Sequence, residues 1–141
     1  MTPEAWRRSE ASRWLAVACR DLRAAQLLVA EEPSASVFHS QQAAEKSAKG
    51  FLAFHDVFFR KTHDLEELGK QCAAVEPSLV LAVAEAASLT DYAIVFRYLD
   101  APHEPDEAEA LTAMATAQHL YDRVRELLTP EETTETRGQI E

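Results

Sequence analysis

The sequence contains few of the residues that form tight turns, disulfides or membrane spans. Its 141 residues include 3 glycines, 6 prolines and 2 cysteines. So few glycines leave little room for the turns of a β-sheet protein or for a glycine-rich phosphate-binding loop. Cys19 and Cys72 belong to no C-x-x-C pair and lie in apolar helical contexts, so we expect free, buried thiols in a reducing compartment. No stretch reaches the roughly 18 apolar residues of a membrane helix.

Positive charge is also scarce. The chain has 14 lysines and arginines against 24 aspartates and glutamates, which gives a net charge of −10. An acidic surface repels phosphate backbones at long range, so broad, non-specific binding of nucleic acid is not expected, although a small basic pocket is compatible with this charge. The N-terminal residues lack the apolar core of a secretory signal peptide, and we therefore expect a cytoplasmic protein without membrane contact.

Alanine, in contrast, is abundant, and apolar residues recur with helical spacing. The 47% hydrophobic and 27% charged content is typical of a soluble globular protein, and the length fits one domain. Apolar stripes spaced by three and four residues run along the first and last long helices. We predict an all-α fold, an antiparallel up-and-down bundle of four long helices plus one short helix in residues 1–129. An acidic tail, which we expect to be disordered, follows at 130–141.

Prolines and capping residues set the helix boundaries. We predict helices at about 4–30, 34–55, 64–74, 77–99 and 105–128. Pro33 ends the first helix because proline cannot continue it, and Ser34 or Ser36 is expected to cap the second. The pattern Asp64-x-x-Glu67 is a capping-box-like start for the short third helix. Before it, Val57-Phe58-Phe59 breaks the helical rhythm, and we expect these three residues to plug one end of the bundle.

The second helix carries an unusual polar row. Gln41, Glu45 and Lys49 are four residues apart and stack on one helical face. The neighbouring face is apolar and contains small residues that let another helix come close, and it consists of Ala44, Ala48, Phe51 and Leu52. The row is either a hydrogen-bonded seam between helices or the lining of a site. Arg97, near the end of the fourth helix, is the natural partner for Glu45.

Two kinds of catalytic site are disfavoured. A carboxylate-bridged metal pair in a helical bundle needs Glu-x-x-His motifs. The only acid three residues before a histidine is Asp100, and Pro102 lies between it and His103. A catalytic thiol needs an exposed cysteine near an activating histidine, and the sequence places neither cysteine in such a context. We therefore expect no metal and no other cofactor.

Two further polar groups could bind an anion or transfer a proton. His63 either ties the segment before the third helix to the bundle, or joins Arg60, Lys61 and the N-terminal amides of that helix in an anion site. Arg97 and His103 have five residues between them. Such a pair could stabilise charge and move a proton at a phosphate, although a structural role for both residues stays open.

The sequence resembles the HEPN domain family, which consists of small helical proteins found beside minimal nucleotidyltransferases. Four motifs, taken in their order along the chain, carry this resemblance. They are Asp21-Leu22-x-x-Ala25 on the first helix, Gln41-Gln42-Ala43-Ala44-Glu45-Lys46 on the second, Lys61-Thr62-His63-Asp64-Leu65, and Tyr92-x-x-x-x-Arg97-Tyr98. The resemblance covers about residues 14–128. It implies a helical bundle that homodimerises and is often encoded with a nucleotidyltransferase as a toxin–antitoxin pair.

The resemblance leaves three functions open. Many members are metal-independent ribonucleases in which Arg-x(4–6)-His motifs of both subunits meet at a dimer cleft, and Arg97 and His103 match that spacing. This chain departs from those members at Tyr98 and at the prolines around the histidine. The second function is binding of a nucleotide or partner protein, and the third is purely structural dimerisation. The residues expected to bind a nucleotide are Gln41, Glu45, Lys49, Lys61, His63, Tyr92 and Arg97.

Overall fold

The computed structural model describes residues 1–95 and 104–129, without the side chains of residues 91–95. The helices are α1 (Pro3–Leu28), α2 (Pro33–Phe54), α3 (Leu65–Val75), α4 (Val80–Val95) and α5 (Glu107–Leu128), with a 3-10 turn at Pro77–Leu79 before α4. The described part of the chain contains no strand. The predicted all-α bundle of four long helices and one short helix is confirmed. The predicted tail at 130–141 lies outside the described residues.

Three of the helices begin at side chains that cap their free amides. The Thr2 hydroxyl accepts a hydrogen bond from Ala5 N, 3.1 Å away, at the start of α1. Asp64 Oδ1 accepts from the first amides of α3, and Asp106 and Glu109 form a reciprocal capping box on α5. These caps satisfy donors that the helix itself leaves unpaired. The Asp64 start predicted for the third helix is confirmed.

The start of α2 differs from the prediction. Pro33 is the first helical residue, and Glu32 precedes it without a side-chain cap. A proline fits this position because its missing N–H would be unpaired there in any case. Ser36 is buried instead, and its hydroxyl donates to the carbonyl of Ala25 at 2.7 Å. The expected serine cap was wrong because the serine bridges α1 and α2.

The long helices alternate in direction, and α2 lies at the centre of the bundle. Arg8, in the second turn of α1, lies 5.2 Å above the ring of Phe54 at the end of α2. Arg123 near the end of α5 donates to Ser78 Oγ at 3.2 Å, just before α4. These contacts make α1 antiparallel to α2 and α4 antiparallel to α5. Because α2 packs against all four other α-helices, its polar row is enclosed on several sides.

The core follows the predicted apolar stripes. Ala18, Leu22 and Ala25 of α1 are buried, as are Ala110, Ala113, Ala117, Leu120 and Val124 of α5. Cys72 is buried, as predicted, but Cys19 is exposed. The prediction for Cys19 was wrong because this residue lies one position beyond the buried Ala18, and a single helical step of about 100° carries its side chain out of the stripe.

The connection between α2 and α3 plugs the bundle with two of its three large residues. Val57 and Phe59 pack against the core, whereas the side chain of Phe58 points outward and the residue is 86% exposed. Side chains of an extended segment alternate between opposite sides, so two inward neighbours force the residue between them outward. The expectation that all three would plug the bundle was wrong for Phe58. No helix within the described residues is long and apolar enough to cross a lipid bilayer.

Candidate functional site

The polar row of α2 is buried. Gln41, Glu45 and Lys49 are 3%, 2% and 8% exposed. Their burial follows from the position of α2, which packs against all four other α-helices. Buried charges are tolerated only when they are paired and hydrogen-bonded, so the row must satisfy itself or bind something that does.

The carboxylate of Glu45 is the centre of a hydrogen-bond network. Its Oε1 lies 2.9 Å from His63 Nδ1 and 3.4 Å from Gln41 Nε2. Its Oε2 accepts from Lys49 Nζ at 3.2 Å. Gln42 Nε2 donates in turn to Gln41 Oε1 at 2.6 Å. The network therefore joins α2 to the segment before α3 and satisfies the buried carboxylate with donors from three side chains.

Lys49 is held on its other side by two aromatic rings. Its Nζ lies 5.6 Å from the ring centroid of Trp14 and 6.0 Å from that of Phe59. The two rings meet edge to face, with centroids 6.3 Å apart. Cations are attracted to ring faces at such distances. The buried ammonium is thus stabilised by Glu45 and by both rings, and it has little freedom to turn toward solvent.

His63 is the part of this network that reaches the surface. Its side chain is 82% exposed, whereas that of Glu45 is 3% exposed. An ionised carboxylate accepts hydrogen bonds and cannot donate them, so His63 Nδ1 donates to Glu45. In a neutral ring this leaves Nε2 as an acceptor, and Nε2 has no partner among the described residues. The network presents an oriented imidazole to solvent.

The segment that carries His63 is fixed at several points. Arg60 donates two hydrogen bonds to the carboxylate of Glu67, at 2.7 and 2.8 Å. These bonds lower the pKa of Glu67 and raise the pKa of Arg60. Asp64 N donates to Thr62 Oγ1 at 3.0 Å. Lys61, between these contacts, is exposed and makes no ion pair with any described residue.

A second carboxylate, which is only partly buried, was not predicted from the sequence. Asp21 of α1 accepts from His39 Nδ1 at 2.9 Å and from Lys46 Nζ at 2.7 Å, both on α2. The available signal was the spacing of His39 and Lys46, which lie seven residues apart and so share one face of α2. This group links α1 to α2 and is separate from the Glu45 network.

Several predicted site residues lie outside the described structure. Arg97 and His103 fall between the described ranges, and Tyr92 lies in α4 without a described side chain. The expected contact of Arg97 with Glu45 and the Arg97–His103 pair therefore stay predictions. Within residues 1–95 and 104–129, no group of three or more His, Cys, Asp or Glu side chains could hold a metal ion.

The sequence model of the HEPN domain family matches residues 11–127. The chain belongs to the HEPN family. The match includes both carboxylate groups of this HEPN domain, the connection between α2 and α3, and the Arg97 and His103 positions. Searches for similar characterised proteins and for similar solved structures found no significant match.

Proposed function

We propose that this HEPN domain is a dimeric binding module that accompanies a minimal nucleotidyltransferase in a toxin–antitoxin-type system and binds a nucleotide through His63 and Lys61. The observation that supports this proposal most is the contrast between Glu45 and His63. A carboxylate with a 3% exposed side chain is hydrogen-bonded to an imidazole that is 82% exposed. The bond ties the segment before α3 to the bundle and leaves Nε2 of His63 open to solvent.

The free donors at the surface fit a phosphate group. Lys61 offers three donors from an unpaired ammonium, and protonated His63 can donate from Nε2 while Nδ1 stays on Glu45. Hydrogen bonds between charged partners are about twice as strong as neutral ones. In contrast, Gln41 and Lys49 are engaged inside the network and act by holding Glu45 in place.

Melting of the protein with ATP tests the nucleotide site. A ligand that binds the folded state raises its stability, so millimolar ATP should raise the melting temperature of the wild type. His63→Gln should lose this shift. His119→Gln, which alters an exposed histidine on α5, should keep it. Absence of a shift in the wild type, or an equal shift in His63→Gln, would contradict the proposal and favour a structural role for the network.

A second candidate is a metal-independent endoribonuclease. The observation that favours it is the Arg97-x(5)-His103 spacing, which falls within the Arg-x(4–6)-His motif of ribonucleases in this family. In such a reaction the arginine stabilises charge on the phosphate and the histidine transfers a proton. The two candidates differ in the residues on which they depend, so variants distinguish them.

A further inference from the structure

Phe58 presents an aromatic ring to solvent. It is 86% exposed between the inward-pointing Val57 and Phe59. Alternation explains why this position faces solvent, but a polar residue would satisfy the same geometry without exposing an apolar ring. The ring of Phe58 is therefore accessible to a ligand at the surface.

The backbone around Phe58 is held in place, so the ring stands on a fixed support. The carbonyl of Phe58 accepts from Gln71 Nε2 at 2.8 Å, and Val57 N donates to Leu52 O at 2.9 Å. Phe59 is packed edge to face on Trp14. A ligand that stacks on Phe58 therefore does not have to order the connection first, which lowers the entropic cost of binding.

The charged groups of the connection leave the Lys61 ammonium and His63 Nε2 without a partner among the described residues. The carboxylate of Glu67 is occupied by Arg60, and Asp64 Oδ1 accepts from backbone amides of α3. Glu45 is buried under its own network. The exposed Lys61 and the outward Nε2 of His63 have no such partner among the described residues. An aromatic ring, a free ammonium and an imidazole that can donate from Nε2 when protonated thus lie within six residues of one connection.

We propose that the connection between α2 and α3 is a docking site for single-stranded nucleic acid. An unpaired base stacks on the ring of Phe58, and Lys61 and His63 hold the neighbouring phosphates. Aromatic side chains stack on bases of any sequence, and nearby cations follow the backbone. This inference rests on the proposed function, because it extends the same phosphate contact at His63 from a mononucleotide to a strand.

The surrounding chemistry favours a single strand over the other polymers. In a duplex the bases are stacked on each other and offer no free face to Phe58. A protein partner would require an apolar surface around the ring, whereas the exposed residues that follow Phe58 in the connection include Arg60, Lys61 and His63.

Fluorescence anisotropy with a labelled single-stranded octadeoxyadenylate tests this site at low salt. The deoxy probe lacks the 2′-hydroxyl, so it cannot be cleaved through that group and the anisotropy reports binding alone. We expect Phe58→Ala to weaken binding about 5-fold or more, because stacking on one aromatic ring contributes at least that much. Phe58→Trp should restore binding. Leu27→Ala, which removes another exposed apolar side chain on α1, should leave it unchanged.

Salt dependence tests the phosphate contact separately. Lys61→Gln should reduce the slope of log affinity against log salt by about 0.7, the value for one phosphate contact on a single strand. A slope that does not change would contradict the assignment of Lys61. Equal binding of Phe58→Ala and wild type, or tighter binding of a hairpin duplex than of the single strand, would overturn the stacking proposal.

The two proposals fail in different ways. If ATP raises the melting temperature but the single strand does not bind, the strand site is wrong and the nucleotide site stands. If the strand binds through Phe58 but ATP causes no shift, the strand site stands and the mononucleotide function is wrong. If Phe58→Ala instead abolishes binding of a purified nucleotidyltransferase and leaves strand binding intact, the ring is a protein contact and the proposal falls.

Discussion

At the scale of single residues, Glu45 is the side chain on which the hydrogen-bond network depends. Its carboxylate is the acceptor for His63, Lys49 and Gln41, and it is almost completely buried. A buried ion pair often contributes little net stability, since desolvation offsets the attraction. Removing one partner is different, because it leaves the other charge buried and unpaired. The network should therefore be sensitive to single changes and tolerant of paired ones.

We predict that Glu45→Gln lowers the free energy of unfolding by about 3 kcal/mol, because it leaves the ammonium of Lys49 buried without a counter-charge. The double variant Glu45→Gln/Lys49→Met should recover at least half of this loss. His63→Gln should change stability by less than about 1 kcal/mol, because its side chain is largely exposed. Urea denaturation measures all three values. A double variant that is less stable than Glu45→Gln would contradict the account.

The two cysteines should differ sharply in reactivity. Burial raises the pKa of the Cys72 thiol to about 12, whereas Cys19 is exposed. In the native protein at pH 8, Ellman's reagent should modify one thiol quickly, and Cys19→Ser should remove that reaction. Both thiols should react in guanidinium. Fast modification of Cys72 in the native state would show that the helices around it open readily.

The raised pKa of Cys72 makes the stability of the protein depend on pH. Unfolded Cys72 ionises near its ordinary pKa of 9.0, whereas the folded thiol stays protonated to about pH 12. Ionisation therefore favours the unfolded state, and this contribution to stability is lost as pH rises from about 9 toward 12. Cys72→Ala should show a shallower decline than wild type over this range in urea denaturation. If the stability of Cys72→Ala declined with pH as steeply as that of the wild type, Cys72 would not be the cause of the decline.

At the scale of helices, α1 and α2 meet where Gly50 allows close contact. A Cβ atom at Gly50 would lie 3.0 Å from Cβ of Trp14 and 3.4 Å from the carbonyl oxygen of Ala11. Neither atom is the flexible end of a side chain, so the helices would have to separate. Close contact here also keeps Trp14 against Lys49, and the interhelical distance thus affects the Glu45 network.

Gly50→Ala should destabilise the protein by about 1–3 kcal/mol, although alanine by itself favours a helix by about 1 kcal/mol. Overpacking against Trp14 and Ala11 outweighs the gain in helix propensity, so the net change in stability is unfavourable. Ala16→Gly, at an exposed position of α1, gives the size of the propensity term alone. Thermal and urea unfolding of both variants measure the difference. An increase in stability for Gly50→Ala would show that the helices separate at little cost.

The sequence predicted the helices well because their signals are local. Apolar spacing gives the buried stripes, and the Asp64 cap needs only the residues that follow it. The errors concern residues whose position depends on a second element. Ser36 looked like a cap but donates to α1, and Phe58 looked like core but is forced outward by its neighbours. These outcomes depend on packing, which local spacing does not encode.

At the scale of the whole molecule, the site combines residues that are distant in sequence. The inward face of Gln41, Glu45 and Lys49 was expected from helical spacing, and the hydrogen bond that ties His63 to the bundle was one of two open alternatives. The contribution of Trp14 from α1 and of Phe59 from the connection could not be predicted. Only the arrangement of three elements brings their rings onto Lys49.

The ribonuclease alternative makes a clear prediction for the whole chain. If it holds, the wild type cleaves RNA without added metal, and Arg97→Ala and His103→Ala each lower the rate about 100-fold or more. Phe58→Ala should raise KM with little effect on kcat, because Phe58 is proposed to dock the strand. Gel analysis of labelled RNA in EDTA measures these rates. Equal cleavage by wild type and His103→Ala would remove the proposed acid–base role.

The most direct test of the account is the nitrogen spectrum of His63 during titration with ATP. Nitrogen-15 chemical shifts of the ring distinguish the two tautomers and report contacts at each nitrogen. We expect a protonated Nδ1 that stays on Glu45 and a change at Nε2 as ATP binds, with His119 unaffected. A His63 ring that averages between tautomers, or an Nε2 signal that stays constant at saturating ATP, would contradict it.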